Sequence, residues 1–154
     1  MNLQEVNNIT MTEGTVRTIH DSNGVQIWGQ NLWDFTGLVS SSGTNFESTF
    51  EDGVLSVTWT GGFDLFPKNG DSDTITLDNT KTYTLFVDVE GSGLVFKIRG
   101  GETLFTTSSS QSFVTYHTTL SNLSSLRLDI VRAQSTAGSA TIKNLRVVLN
   151  ETLS

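Results

Sequence analysis

The chain has no cysteine and a single proline, Pro67. Without cysteine there is neither a disulfide framework nor a thiolate metal site, which suits a reducing cytoplasm or assembly there before release. With one proline, almost every residue can donate to a strand ladder. Cations are scarce as well: nine Lys and Arg stand against sixteen Asp and Glu, for a net charge of −7 and a sequence pI of about 4.6. The nine are scattered and form no basic stripe, so neither a nucleic-acid backbone nor an anionic membrane surface is an expected partner. No apolar run reaches transmembrane length, and the N-terminus lacks the charged-then-apolar pattern of a secretory signal.

Catalytic arrangements are missing too. The only histidines are His20 and His117, no serine lies in a Gly-x-Ser-x-Gly setting, and there is no phosphate-cradling glycine loop. Sixteen acids could pair in many ways for glycoside hydrolysis, but no motif selects a pair. The expectation is a protein that is not an enzyme.

What the sequence has is alternation. Leu55-Val57-Trp59, Tyr83-Leu85-Val87-Val89, Leu94-Phe96-Ile98, Leu126-Leu128-Ile130 and Leu145-Val147-Leu149 each put apolar side chains on one face of an extended strand. Polar residues, many of them Ser and Thr, stand between. Hydrophobic content of 36% is low, yet its regular spacing argues for half-buried sheets and against disorder. Strands are predicted at Asn45–Phe50, Val54–Thr60, Thr74–Leu77, Thr82–Glu90, Gly93–Arg99, Thr103–Thr107, Ser112–Thr118, Ser125–Arg132 and Ala140–Leu149. Turns at Glu51-Asp52-Gly53, Lys68-Asn69-Gly70-Asp71 and Glu90-Gly91-Ser92-Gly93 have the residues such connections need. Ser40–Thr44 and Thr60–Phe66 read as loops.

In the last strand the apolar phase slips between Ile142 and Leu145, and a β-bulge near Lys143-Asn144 would reconcile the two halves. The fold class is all-β: an antiparallel β-sandwich, most plausibly a jelly roll, with an N-terminal β-hairpin extension. The hairpin is read from Thr15–Ile19 and Val25–Trp28 about the Asn23-Gly24 turn signal. Such a hairpin is marginal alone and must pack on something. The division is residues 1–30 for the anchoring segment and 31–154 for the sandwich, with Gly29-Gln30 at the boundary.

Two parts of this arrangement resemble known families. From about Asn31 to Asn150 the chain resembles jelly-roll carbohydrate-binding modules, through the opening Asn31-Leu32, the Phe50–Thr58 strand and turn, and the closing Ala140–Val147 strand. Residues Val16–Trp28 are similar to segments of bacteriophage tail, baseplate and head-fibre proteins, in which a short hairpin precedes a carbohydrate-binding-like domain. The resemblance implies a virion structural protein: a decoration, fibre or baseplate element, assembled in the host cytoplasm and released by lysis. It also implies other virion proteins as partners, a homo-oligomer, and cell-surface glycans as ligands held by avidity. The alternative is a stand-alone bacterial carbohydrate-binding module.

Sugar sites combine flat rings with amides and carboxylates. The densest such cluster is Trp59, Phe63, Asp64, Phe66 and Asn69, although core packing is the commoner fate of aromatics: Trp59 is in phase with Leu55 and Val57 and reads as core, with Phe63 and Phe66 capping the sandwich edge. Tyr116 and His117 form a second candidate, one of which faces outward on any strand. For assembly the candidates are Ile19, Ile27, Trp28 and Trp33, whose alternative role is to seal the hairpin on its own domain. No metal or other cofactor is expected. Asn69, Asp71 and Asp73 alternate as oxygen ligands of a calcium ion would, but the run also reads as a turn entering a strand.

Overall fold

The computed structural model describes residues 17–21, 24–42 and 45–153, with side chains at 31–38 and 45–150. Among them every regular element is a strand: β1 (Arg17–Asp21), β2 (Gly24–Asn31), β3 (Phe35–Ser42), β4 (Phe46–Glu51), β5 (Val54–Trp59), β6 (Asp64–Asn69), β7 (Ile75–Thr76), β8 (Thr82–Gly91), β9 (Leu94–Ile98), β10 (Thr103–Thr106), β11 (Ser110–Ser121), β12 (Ser125–Leu126), β13 (Leu128–Arg132) and β14 (Gly138–Leu153).

The strands form two antiparallel layers. A five-stranded sheet runs β10-β9-β13-β6-β3, and a seven-stranded sheet is organised around β14, with a short β12-β7 pair beside them. One edge of β14 pairs with β8, which pairs in turn with β11. The other edge takes β5 along Gly138–Lys143 and β2 along Val148–Leu153. Between the layers lies one core, to which alternate residues contribute: Leu55, Val57 and Trp59 from β5, Leu85, Val87 and Val89 from β8, Leu94 and Phe96 from β9, Leu128 and Ile130 from β13. Each such side chain, fully buried, stabilises the fold by about 1.5–3 kcal/mol before entropy is counted.

The bulge in the last strand is present. The β14–β8 register shifts between Lys143 and Arg146, and Asn144 takes a φ of 54°. The extra residue returns Leu145 and Val147 to the core side that Ala140 and Ile142 occupy, and all four are buried. The hairpin pairs Asp21 with Gly24, and β2 passes through Gly29 and Gln30 to Asn31 without a break. Asn31 is buried, and its Oδ1 accepts from the Trp33 amide at 3.0 Å and the Val147 amide at 3.1 Å.

Two strands occupy stretches that read as loops. β3 includes the first part of Ser40–Thr44, and β6 begins inside Thr60–Phe66. Pro67 lies in β6, where its missing N–H coincides with register shifts at Leu38 that open the β3–β6 ladder. The expected Ser125–Arg132 strand is divided at Arg127, its first two residues pairing with β7 and the rest with β9 and β6.

Gly91 ends β8 at a φ of 105°, and a Cβ there would stand 2.5 Å from the Ser139 carbonyl oxygen and 2.9 Å from Ala140 Cα. Both obstacles are backbone of β14, so they cannot rotate away. Gly91→Ala is therefore expected to destabilise the domain by about 2 kcal/mol or more, read from chemical denaturation. An unchanged midpoint would show that the β8–β14 contact is looser than this.

Candidate functional site

The candidate residues separate by the direction of the strand they sit on. Trp59 and Phe63 point inward, 2% and 5% exposed. Their rings pack at 5.1 Å, Phe46 adds a contact at 5.7 Å to Phe63, and Trp59 Nε1 donates to the Thr136 carbonyl at 3.1 Å. No ring face is left for a sugar, which corrects the expectation for these two: alternation with Leu55 and Val57 commits Trp59 to the core. Trp33 is likewise buried, with Nε1 donating to the Lys68 carbonyl at 3.0 Å. It seals its own domain and offers no assembly surface. The side chains of Ile19, Ile27 and Trp28 lie outside the described residues.

Tyr116 lines the rim of the core, stacked on Phe105 at 5.9 Å, and its hydroxyl accepts from the Ser108 amide at 3.0 Å. His117 is exposed on the outer face of the seven-stranded sheet, 5.9 Å from the Phe86 ring. Asn69 is occupied locally: Oδ1 accepts from the Asp34 amide at 2.8 Å and Nδ2 donates to the Thr74 carbonyl at 3.1 Å. Asp73 is paired with Arg99 at 2.8 Å. Both side chains are thus engaged within the turn and with its neighbours.

Asp64 and Phe66 are placed differently. They alternate with Leu65, which has no exposure, and so project from the outer face of the five-stranded sheet. Ile130 faces Leu65 on one side and Phe96 on the other. The outward neighbours Phe66, Asp129 and Lys97 therefore fall in one row across three strands. The Arg99 guanidinium lies 3.9 Å from the centroid of the Phe66 ring, a cation–π contact. Asp73 holds that guanidinium in place, its own carboxyl kept below the usual range by the hydroxyl of Thr74 at 2.8 Å and by the charge of Arg99. The result is a half-buried planar platform bordered by carboxylates and amines.

Asp129 is the unusual member. It is 8% exposed, and its Oδ1 is buried with no hydrogen-bond partner among the described residues. Burial, then a hydrogen bond with Asp64 and the charge of Asp64, push its carboxyl up to about 6, against the pull of Lys97 and Arg99. The sequence held a signal for Arg127 and Asp129, since both alternate with the apolar Leu126-Leu128-Ile130. It held none for their meeting Asp64, Phe66 and Lys97, because strand order is not local.

On the opposite outer face the charged and amide groups near Asp88 engage one another. Asp88 accepts from Thr115 Oγ1 and Asn144 Nδ2, each at 2.8 Å, while Lys143 and Arg146 cover the rings of Phe113 and Phe86 at 3.9 and 4.8 Å. At one end of the sandwich, a hydroxyl-rich depression of about 390 Å³ between Ser92, Ser109, Ser110 and Ser139 presents no ring. The five-stranded face alone combines a ring with a buried acceptor lacking a partner, among the described residues.

Because the folded state binds the Asp129 proton more tightly than the unfolded chain, its contribution to stability is full below the ordinary carboxylate range. It falls as pH rises to about 6. Asp129→Asn should therefore raise stability above pH 6 by on the order of 2 kcal/mol, with little gain at ~pH 4, measured by denaturation across pH. Destabilisation at every pH would contradict the strained carboxyl.

No protein-family model matches the sequence, and no curated protein matches it. Solved structures do resemble it. A mutant of a family 29 carbohydrate-binding module aligns with a TM-score of 0.56 at 17% identity, covering 80% of this chain and 92% of that one. Another family 29 mutant, complexed with mannohexaose, aligns at 0.56 and 16%, covering 88% and 92%. A family 4 carbohydrate-binding module aligns at 0.51 and 15%, covering 67% and 75%. At these identities the likeness is one of fold, and the chain carries the jelly-roll β-sandwich that these modules share.

Proposed function

We propose that this chain is a carbohydrate-binding domain that takes a glycan on the outer face of its five-stranded sheet. The observation that carries the reading is the grouping of Phe66 and its stacked Arg99 with Asp64, Lys97 and the unpartnered Asp129 Oδ1. Saccharides present C–H faces that pack on planar groups and hydroxyls that both donate and accept, and this face offers counterparts to each. Fold likeness to carbohydrate-binding modules supports the reading.

The setting proposed for the domain is a virion, with residues 1–30 docking it to other virion proteins. This setting follows from the resemblance of Val16–Trp28 to phage structural segments, and it suits the position of β1 at the edge of the seven-stranded sheet, where β2 is its one partner among the described strands. An open edge is a natural place for another chain to add a strand. The alternative, a stand-alone module, is favoured by the long pairing of β2 with β14, which ties the hairpin to its own domain.

Affinity electrophoresis through gels containing soluble polysaccharides tests the binding face. Phe66→Ala should weaken retention about tenfold, corresponding to ~1.4 kcal/mol, with the thermal transition nearly unchanged. Retention unaffected by this substitution contradicts the assignment of the face. For the setting, particles assembled with a chain lacking Met1–Gln30 should carry no copies of it, and full incorporation would exclude the anchor.

A further inference from the structure

Asp129 lies beneath the centre of the proposed binding face, in register opposite Lys97. The charged groups around it are Lys97 and Arg99 across the sheet, Arg127 on its own stretch of chain, Asp64 and Lys68 on β6, and Asp73, which holds Arg99 as an ion pair. None of them donates to Oδ1. His117 is on the outer face of the other sheet and does not enter this group.

Resting on the glycan-binding reading of this face, we propose that the Asp64–Asp129 pair is its specificity element. Oδ1 of Asp129 takes a hydroxyl donated by a neutral sugar, and ionisation of Asp129 sets how tightly that sugar is held. The chemistry follows from what the oxygen lacks. A buried acceptor without a donor is costly, so a ligand that supplies one gains both the new hydrogen bond and the relief of that cost. Sugar hydroxyls can supply it. A sugar carboxylate cannot, and it would meet two neighbouring acids, Asp64 and Asp129.

Loss of that proton turns a neutral acceptor into a charged one, and charge-assisted hydrogen bonds are roughly twice as strong. With the Asp129 carboxyl raised to about 6, a ligand that favours its ionised form binds more tightly as pH rises through that value, then levels off. Asp64→Asn removes the neighbouring charge and supplies an amide that donates to Asp129. The rise in affinity then moves to lower pH. Asp129→Asn leaves a neutral acceptor at all pH.

Calorimetric titration of the full chain with a panel of hexasaccharides tests this: cellulohexaose and mannohexaose as neutral probes, and a hexauronate as the acidic one. Neutral probes should bind about tenfold more tightly at about pH 7.5 than at about pH 5. In Asp129→Asn binding should be weak and flat with pH, and in Asp64→Asn it should be tight with its rise shifted downward. The inference is overturned by pH-independent binding to the native chain, by a pH step that survives in Asp129→Asn, or by equal affinity for the hexauronate. Each of these outcomes leaves glycan binding itself standing. Failure of every hexasaccharide to bind at any pH overturns both.

Discussion

The pairing of β14 on both of its edges is the constraint from which the rest of the structure follows. This one strand joins β8 on one side and both β5 and β2 on the other, so it fixes the positions of two segments far apart in sequence. To do so across sixteen residues it must change phase once, and Asn144 absorbs that change at a φ of 54°. Without the extra residue, either Ala140 and Ile142 or Leu145 and Val147 would face water. A one-residue slip exchanges the two faces of a strand, so the bulge specifies register as firmly as it preserves burial. Asn31 adds a clasp at the crossing, bonding the Val147 amide and the Trp33 amide through one oxygen.

A well-specified core leaves the outer faces free to differ, and they do. On the seven-stranded sheet the charged and amide groups satisfy one another around Asp88. On the five-stranded sheet Arg99 is held by Asp73 over Phe66, whereas Asp129 keeps a buried oxygen unpaired among the described residues. An unpaired buried polar group costs stability, and a partner that donates to it relieves that cost. That contrast, more than the fold, separates the two surfaces as places for a ligand.

How far the sequence could be read follows the same physics. β5, β8, β9 and β14 were legible because their apolar residues alternate over five or more positions, and the bulge was legible because that alternation breaks once. β6 was hidden: Gly61-Gly62 precedes it and Pro67 interrupts it, so the alternation of Asp64, Leu65, Phe66 and Pro67 reads as loop chemistry. β3, with Gly37 and a run of serines, gave equally little periodicity. Of the site, Asp64 and Phe66 were named for their residue types. Trp59 and Phe63 were named with them and belong inside, since an aromatic next to a glycine pair reads alike whether it caps a core or faces solvent. Lys97, Arg99 and Asp129 could not be connected to Phe66 from sequence, because the order β9-β13-β6 joins segments about thirty residues or more apart, and non-local pairing leaves no local mark.

Our proposal places a glycan on the outer face of the five-stranded sheet. Amide chemical-shift mapping by NMR during titration with a bound oligosaccharide tests it directly. The perturbed amides should cluster on β6, β9 and β13 around Phe66, Lys97 and Asp129, with the strands β5 and β11 of the other sheet unaffected. Perturbations centred on His117 and Asp88, or confined to the serine-lined end of the sandwich, would contradict it.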